Sequence, residues 1–413
     1  MNSLSFAEKL WLKCRLLVEG CHLDPEMIFP SNIHHKKIHL YAHSQEKISR
    51  VIPEDILIGI ENDNPLICRI RYCSQSNLLI KKEDNHYLLY DLTEQKKYPI
   101  TFVSLPQFAS CQIKGQPLHS ICSYLGLDLI GVIPSNYCFY FNHNQQCRFC
   151  EILPNYKNQV EYPKAIKDSH LICEALHIAL QNEPKLQHIA ITTGNIKSYD
   201  YTFEYFIKIG QELKNFLSPY VVKHVLATLM PPDNFSLIDQ LSQTYFNKVY
   251  FPVEVYEEAH FKVVCPGKAS YGYNKILQGL DYALQTFGLG HVYTNFVYGI
   301  QSLDSDLNPA SYCPKKENEK ALQAVEGMLA RQIIPAFTLY HYSGYNKIGA
   351  IPLSVEDVYE FFKQWGELVF ASGIVPLDED AVLFSPLTLS NTLFNDAFLM
   401  AKTRSRCPLS INS

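Results

Sequence analysis

Between residues 125 and 345 the apolar positions keep changing rhythm. Short continuous runs, "LDLIGVIP", "LQHIAITTGN", "YVVKHVLATL", "KVYFPVEVY", "HVYTNFVYGI" and "IIPAFTLYHYSG", read as buried strands. Between them lie stretches whose apolar residues recur at helical spacing: "SHLICEALHIALQ", "TFEYFIKIGQELKNF", "NFSLIDQLSQT", "YNKILQGLDYALQTFG" (closed by Gly288) and "NEKALQAVEGMLARQ". Strand followed by helix, repeated six times, predicts βαβ units on a parallel sheet, enough for a partial or full (β/α) barrel. In such sheets chemistry collects at the carboxyl ends of the strands.

The two flanks differ from this. Residues 5–20 carry Leu10, Leu12, Leu16 and Leu17 near helical spacing. Residues 37–104 break into short β-rich runs ("KIHLYAH", "DILIGIEN", "PLICRIRYC", "NLLIKKED", "HYLLYDL") separated by Asn, Asp and Ser. They predict a small antiparallel accessory unit. After the barrel, "SVEDVYEFFKQWGELVFA" predicts a helix and a Ser/Pro-rich end follows. The expected division is an N-terminal helix with a β-rich domain over 1–124, the barrel over 125–350 and a helical extension over 351–413.

Composition narrows the function classes. The chain has 413 residues, enough for two or three units at roughly 100–200 residues each. A net charge of −5 and a charged fraction of 19% show no basic bias of the kind a duplex-binding surface needs, so nucleic acid is not expected as a partner. The N-terminal apolar rhythm is broken by Glu8, Lys9, Lys13, Arg15 and Glu19, so no secretory signal is expected. No run of about 18 apolar residues suggests a membrane span. A cytoplasmic protein is expected. Thirteen cysteines is an odd number for a disulfide scaffold, and in a reducing compartment clustered cysteines point to metal or catalysis.

The cluster is "CFYFNHNQQCRFC", residues 138–150. Cys147 and Cys150 form a C-x-x-C pair, and Cys138 stands nine residues before it, just after the first predicted barrel strand. Thiolates are soft ligands for zinc and for iron–sulfur clusters. A closed zinc site takes four protein ligands. No second C-x-x-C occurs, and no H-x₃₋₅-H lies within the usual distance. Three thiolates on a four-iron cluster leave one iron open. His143, inside the loop, is a further possible ligand, although a polar loop histidine is more often solvated. The other ten cysteines (Cys14, Cys21, Cys68, Cys73, Cys111, Cys122, Cys173, Cys265, Cys313, Cys407) read as small buried hydrophobes.

On these residues the sequence resembles the radical S-adenosylmethionine (radical SAM) enzymes, in their biotin synthase-like branch. Their signature is C-x₃-C-x₂-C after the first barrel strand, with an aromatic residue before the last cysteine; here Phe149 takes that place and eight residues separate the first two cysteines. The resemblance extends over roughly 130–345. "IAITTGN" resembles the stretch after the second strand that meets the methionine amino group, which implies SAM contacts for Thr192, Thr193 and Gly194. "VYFPVEVYEEAHFKVVCPGK" resembles the fourth-strand region, which implies a SAM-binding carboxylate at Glu254; "FGLGHVYTNFVYGI" resembles the fifth, which implies Gly299 in the adenosine pocket. A glycine lets backbone approach a ligand closely, and a carboxylate binds ammonium or ribose hydroxyls.

The resemblance implies an α/β partial or full barrel of the radical SAM type, a [4Fe-4S] cluster on Cys138, Cys147 and Cys150, and S-adenosyl-L-methionine as second cofactor. The implied reaction is one-electron cleavage of SAM to methionine and a 5′-deoxyadenosyl radical, acting on a small molecule or peptide, with an electron donor such as flavodoxin or ferredoxin. No residue stands out as a radical-quenching acid. Bland readings stay open beside these. Glu254 suits a helix cap, Thr193 and Gly194 suit a turn, and Lys268, which the resemblance would let meet the SAM carboxylate, better suits a solvated surface. Tyr340, His341 and Tyr342 suit a substrate wall or core aromatics. Two other functions also stay open: a zinc-stabilised or metal-free barrel that binds a partner, and transfer of the aminocarboxypropyl or methyl group of SAM on the same fold.

Overall fold

The computed structural model describes residues 4–36, 52–59, 64–153, 166–342, 344 and 346–406. Cys407, the run "KIHLYAH" and the end of "DILIGIEN" lie outside the described residues.

The first helix, Phe6–Val18, starts at Ser5, whose hydroxyl accepts from the Glu8 N–H while the Glu8 carboxylate accepts from the Ser5 N–H. This reciprocal cap satisfies two of the helix's open donors. The expected β-rich unit is a six-stranded sheet. Its order is His22–Leu23, Leu78–Glu83, His86–Asp91, Lys96–Phe102, Asp55–Ile58 and Leu66–Arg69. All its pairs are antiparallel except the first, which is parallel.

The second sheet has seven strands in sequence order. Cys122–Leu125 runs antiparallel to β1 (Leu129–Val132), and the rest are parallel: β2 (His188–Thr192), β3 (His224–Thr228), β4 (Lys248–Tyr250), β5 (Val292–Tyr298) and β6 (Ile334–Leu339). One main helix follows each strand: α1 (Ser169–Asn182), α2 (Tyr199–Leu217), α3 (Ser236–Ser242), α4 (Tyr273–Phe287), α5 (Pro314–Leu329) and α6 (Val355–Ser372). Side chains of Asp168, Ser198 and Ser354 cap α1, α2 and α6. Such caps set where each βα loop ends. All seven residues of β5 are buried, as expected for a parallel strand covered on both faces. This is a mixed α/β fold whose second sheet, parallel except for its first pair, curls into a half-barrel.

The curl can be read from hydrogen bonds between loops. In a flat sheet β1 and β4 would stand about 14 Å apart, and β1 and β6 about 24 Å, at roughly 4.8 Å per strand. Yet the loop after β1 bonds the segment after β4 directly, Arg148 N–H to Val264 O at 2.9 Å and Gly267 N–H to Gln145 O at 2.9 Å. It also bonds the loop after β6, Lys347 N–H to Arg148 O at 2.7 Å. The strand ends therefore gather around one mouth.

Two elements depart from the expected pattern. The strand expected over "KVYFPVEVY" stops at Tyr250. Pro252 has no N–H for a ladder, the Val253 N–H turns to Thr294 Oγ1 at 3.2 Å, and Glu254 keeps only an isolated bridge to Phe296. The end read as Ser/Pro-rich contains a helix, Phe394–Arg406. That helix holds Asp396, whose carboxylate accepts from Lys13 Nζ at 2.6 Å with both side chains buried. Among the described residues no helix is long and apolar enough to cross a membrane.

Candidate functional site

The loop after β1 shows how an eight-residue spacing still returns the chain to one place. Cys138 precedes a 3-10 helix, Phe139–His143, closed by Asn144 at φ +56°. Asn tolerates this left-handed conformation better than most residues. The Gln145 N–H then bonds Tyr140 O at 2.9 Å. The extra residues are thus wound into a helical turn. Cys147 and Cys150 are joined by a second turn, Cys150 N–H to Cys147 O at 3.0 Å. Cys138 and Cys147 are buried and Cys150 is partly buried.

Each thiol feels its neighbours. Burial pushes Cys138 up to about 11, opposed by backbone N–H groups of Tyr140 and Asn195 that bond its sulfur. Burial and the nearby Cys147 also raise Cys150, against a bond from the Ile152 N–H. Cys147 moves the other way. A hydrogen bond from Cys265 lowers it, and Lys268 assists. Cys265 itself is held far above the ordinary thiol value by burial and by Cys147. N–H groups aimed at sulfur favour the ionised form, which is the form that ligates metal.

Among the described residues no three His, Cys, Asp or Glu side chains are arranged to hold one metal ion. A four-iron cluster takes its thiolates on separate irons, so its ligands need not crowd around a single ion. Three soft sulfurs with N–H donors fit that group. His143 is exposed on the short helix.

The loop after β2 supports the cysteines from one side. A Cβ on Gly194 would lie 2.6 Å from Cys138 Cβ and 3.0 Å from Tyr137 O, so only glycine allows this approach. The Phe139 N–H bonds Asn195 O at 2.8 Å. Thr193 Oγ1 donates to Ser135 O at 3.4 Å and to Gly194 O at 3.0 Å, while Thr192 is exposed at the strand end.

Glu254 is buried with its backbone at φ +70°. A non-glycine residue held there costs on the order of 1–3 kcal/mol, and such strain tends to collect at functional sites. Two backbone bonds fix it, its own N–H to Asn295 O at 2.6 Å and Val297 N–H to its carbonyl at 3.0 Å. Gln301 Nε2 adds a third at 3.0 Å to the same carbonyl. The carboxylate accepts from Lys268 Nζ at 2.8 Å and from Asn295 Nδ2 at 3.0 Å. It caps no helix, and that expectation is corrected. Lys268 is not a solvated lysine either. It is buried, bonds Pro252 O at 2.9 Å, and although burial pulls its pKa down, Glu254, Cys147 and Cys265 outweigh that and raise it.

Gly299 ends β5 at φ +108°, where a Cβ would press on Leu353 and Tyr340, and its N–H bonds Glu317 Oε1 at 2.5 Å. Burial pushes the Glu317 carboxyl up to about 7. Tyr340 is buried, and its hydroxyl bonds Asn346 Oδ1 at 2.9 Å and Ile348 O at 2.5 Å, which ties down the loop after β6. Cys138, Cys147, Cys150, Gly194 and Glu254 thus come together, whereas the contacts seen at Gly299 belong to packing.

Three functional candidates were missed in the sequence, Cys265, Asn295 and Tyr250, whose hydroxyl bonds Asn295 Oδ1 at 3.1 Å, while Lys268 was weighed for the SAM carboxylate but read as solvated. Asn295 had a signal, a polar residue in the otherwise apolar run "HVYTNFVYGI". Cys265 departs from the packing-only reading, and so does Cys313, which is exposed.

No family model matches the chain. A bacteriochlorophyllide c C-7(1)-hydroxylase of Chlorobaculum limnaeum is 33% identical over 88 residues, 21% of this chain and 22% of that protein. The match thus spans about a fifth of the curated relative's length. Among solved structures, methylornithine synthase is similar at 14% identity and TM-score 0.42, covering 60% of this chain and 64% of that one. A maturase of the [FeFe]-hydrogenase, HydG, follows at 15% and 0.39, covering 62% and 52%. A radical SAM methyltransferase from Sphaerobacter thermophilus follows at 10% and 0.38, covering 73% and 76%.

Proposed function

We propose that this chain is a radical SAM enzyme in which Cys138, Cys147 and Cys150 each bind one iron of a [4Fe-4S] cluster and the fourth iron is left for SAM. The observation that carries this reading is the single mouth shared by the three thiols and the buried Glu254–Lys268 pair. When bound, the cluster supplies the electron that cleaves SAM reductively.

The chain's own residues prepare that site. Gly194 and Asn195 pack against and bond the chain at Cys138, and the Arg148 and Gly267 bonds hold the chain on either side of Cys147. The Lys268 ammonium offsets part of the negative charge of buried thiolates, which burial alone would disfavour. Glu254 is held with its carboxylate already oriented by Lys268 and Asn295, and an ammonium or a pair of ribose hydroxyls is the complement of its remaining lone pairs. Thr192, Thr193 and Gly194 are the proposed contacts for the methionine end, and Gly299 for the adenosine end. The barrel over 125–350 is the proposed catalytic unit, with 1–124 and 351–413 as its supports. The proposed partners are a small-molecule or peptide substrate and an electron donor such as flavodoxin or ferredoxin, in a reducing cytoplasm.

The test is anaerobic reconstitution, followed by iron and sulfide analysis and product identification with SAM and a strong reductant. Brown protein with about four irons per chain, releasing methionine and 5′-deoxyadenosine, is the expected result. Colourless protein with stoichiometric zinc would sink the proposal. A cluster that releases methylthioadenosine or a methylated product instead would move the chain to group transfer.

A further inference from the structure

Cys265 stands outside the three-cysteine motif, yet the fold brings it to the motif's middle ligand. Two backbone hydrogen bonds run between the segments on either side of the pair, Arg148 N–H to Val264 O at 2.9 Å and Gly267 N–H to Gln145 O at 2.9 Å. Cys147 lies between Gln145 and Arg148, and Cys265 lies between Val264 and Gly267. The segments that carry the two thiols are therefore held side by side by a short ladder, and each thiol lies within the electrostatic reach of the other. The ladder is itself locked. Gly267 has no room for a Cβ, which would fall 2.6 Å from Gln145 O and against the Tyr140 ring. Pro266 starts the next helix, Pro266–Tyr271, and Cys265 ends the previous one, its N–H bonded to Phe261 O at 2.8 Å. Cys265 is fully buried, so water does not compete for its thiol.

We infer that Cys265 is a positioning residue for the cluster, its S–H donating to the Cys147 sulfur and thereby making the cluster easier to reduce. This rests on the radical SAM reading above. The physical reason is electrostatic. A reduced cluster carries one more negative charge, and a donor on a ligand sulfur stabilises that charge more than it stabilises the oxidised form. A thiol is a weak donor, but in a dry interior even a weak donor is felt. Cys265 is not needed as a ligand, because three thiolates already leave the one open iron that SAM requires.

The experiment uses reconstituted parent protein, Cys265→Ala and Cys265→Ser, with iron content and the midpoint potential of the cluster measured by an EPR-monitored redox titration. The expected outcome is full iron in all three, a more negative midpoint in the Ala variant, and partial return toward the parent in the Ser variant, whose hydroxyl still donates. An Ala midpoint equal to the parent's overturns the inference. So does loss of iron in the Ala variant, which would make Cys265 a ligand. Parent protein that takes up no cluster is a different failure, since it removes the radical SAM reading itself and this inference with it.

Discussion

Cys14, Cys21, Cys68 and Cys73 in the N-terminal part resemble Cys138, Cys147, Cys150 and Cys265 at the barrel mouth in number and nearly in burial. Each set even has a buried lysine–carboxylate pair beside it, Lys13–Asp396 for the first and Lys268–Glu254 for the second. The difference is in what meets the sulfur. Cys14 sits inside a helix and Cys68 inside a strand, where backbone N–H groups are already used by the ladder. Burial raises Cys14, Cys21 and Cys68, the last to about 12, and no backbone donor relieves any of the three. At the mouth the cysteines stand in turns, and N–H groups of Tyr140, Asn195 and Ile152 reach the sulfurs of Cys138 and Cys150. Cysteine count and burial do not separate the proposed ligands from core packing; the backbone donors at Cys138 and Cys150 are what differ.

The sharpest way to break this comparison is to remove ligands. Cys138→Ala, Cys147→Ala and Cys150→Ala, one at a time, are each expected to reduce bound iron to background, because three sulfurs leave no spare. A Cys138→Ala protein that kept a full cluster would show that another cysteine completes the set.

Next in size is Lys268→Met. It leaves the Glu254 carboxylate buried with Asn295 as its remaining side-chain partner, and breaking such a pair costs about 3–5 kcal/mol. Urea unfolding of parent and variant side by side measures it. A loss within about 0.5 kcal/mol, the range of an ordinary surface change, would mean that the pair contributes nothing beyond its burial.

Glu254→Gln keeps the shape and removes the charge. SAM affinity is expected to fall about tenfold or more, on the order of 1.5–3 kcal/mol for a hydrogen bond to a charged group, with the cluster intact. Equilibrium binding on the reconstituted protein reads it, and unchanged affinity would reduce Glu254 to a partner of Lys268.

The smallest effect sits on the other side of the comparison. Replacing Cys14, Cys21, Cys68 or Cys73 by Ala is expected to leave iron content untouched and to cost about 1 kcal/mol of stability each. Iron lost with Cys68 or Cys73 would reveal a second metal site and end the contrast.

The alternation of strands and helices, and the C-x₈-C-x₂-C loop, were legible in the sequence because both are local. Hydrophobic rhythm reports an element, and spacing reports a turn. The contribution of Cys265 was not legible. It lies in an apolar neighbourhood that reads as packing, and only the curl of the sheet carries the β4 side of the mouth to the β1 loop. Lys268 failed for the same reason, since its partner depends on a backbone turn at Glu254 that follows from Pro252 interrupting the strand. Asn295 was within reach, being a polar residue in a strand buried along its whole length.

The Lys13–Asp396 pair joins residues 383 positions apart. During synthesis the first helix therefore leaves the ribosome about 20–80 s before its partner exists, at roughly 5–20 residues per second. Through that interval a lysine destined for the interior has no counter-ion, and the N-terminal helix cannot settle against the last one. The order of birth along the chain thus runs opposite to the order in which this core can close, and a ribosome-stalled chain ending before Asp396 is expected to be cut by protease in its first helix, where the full chain is protected.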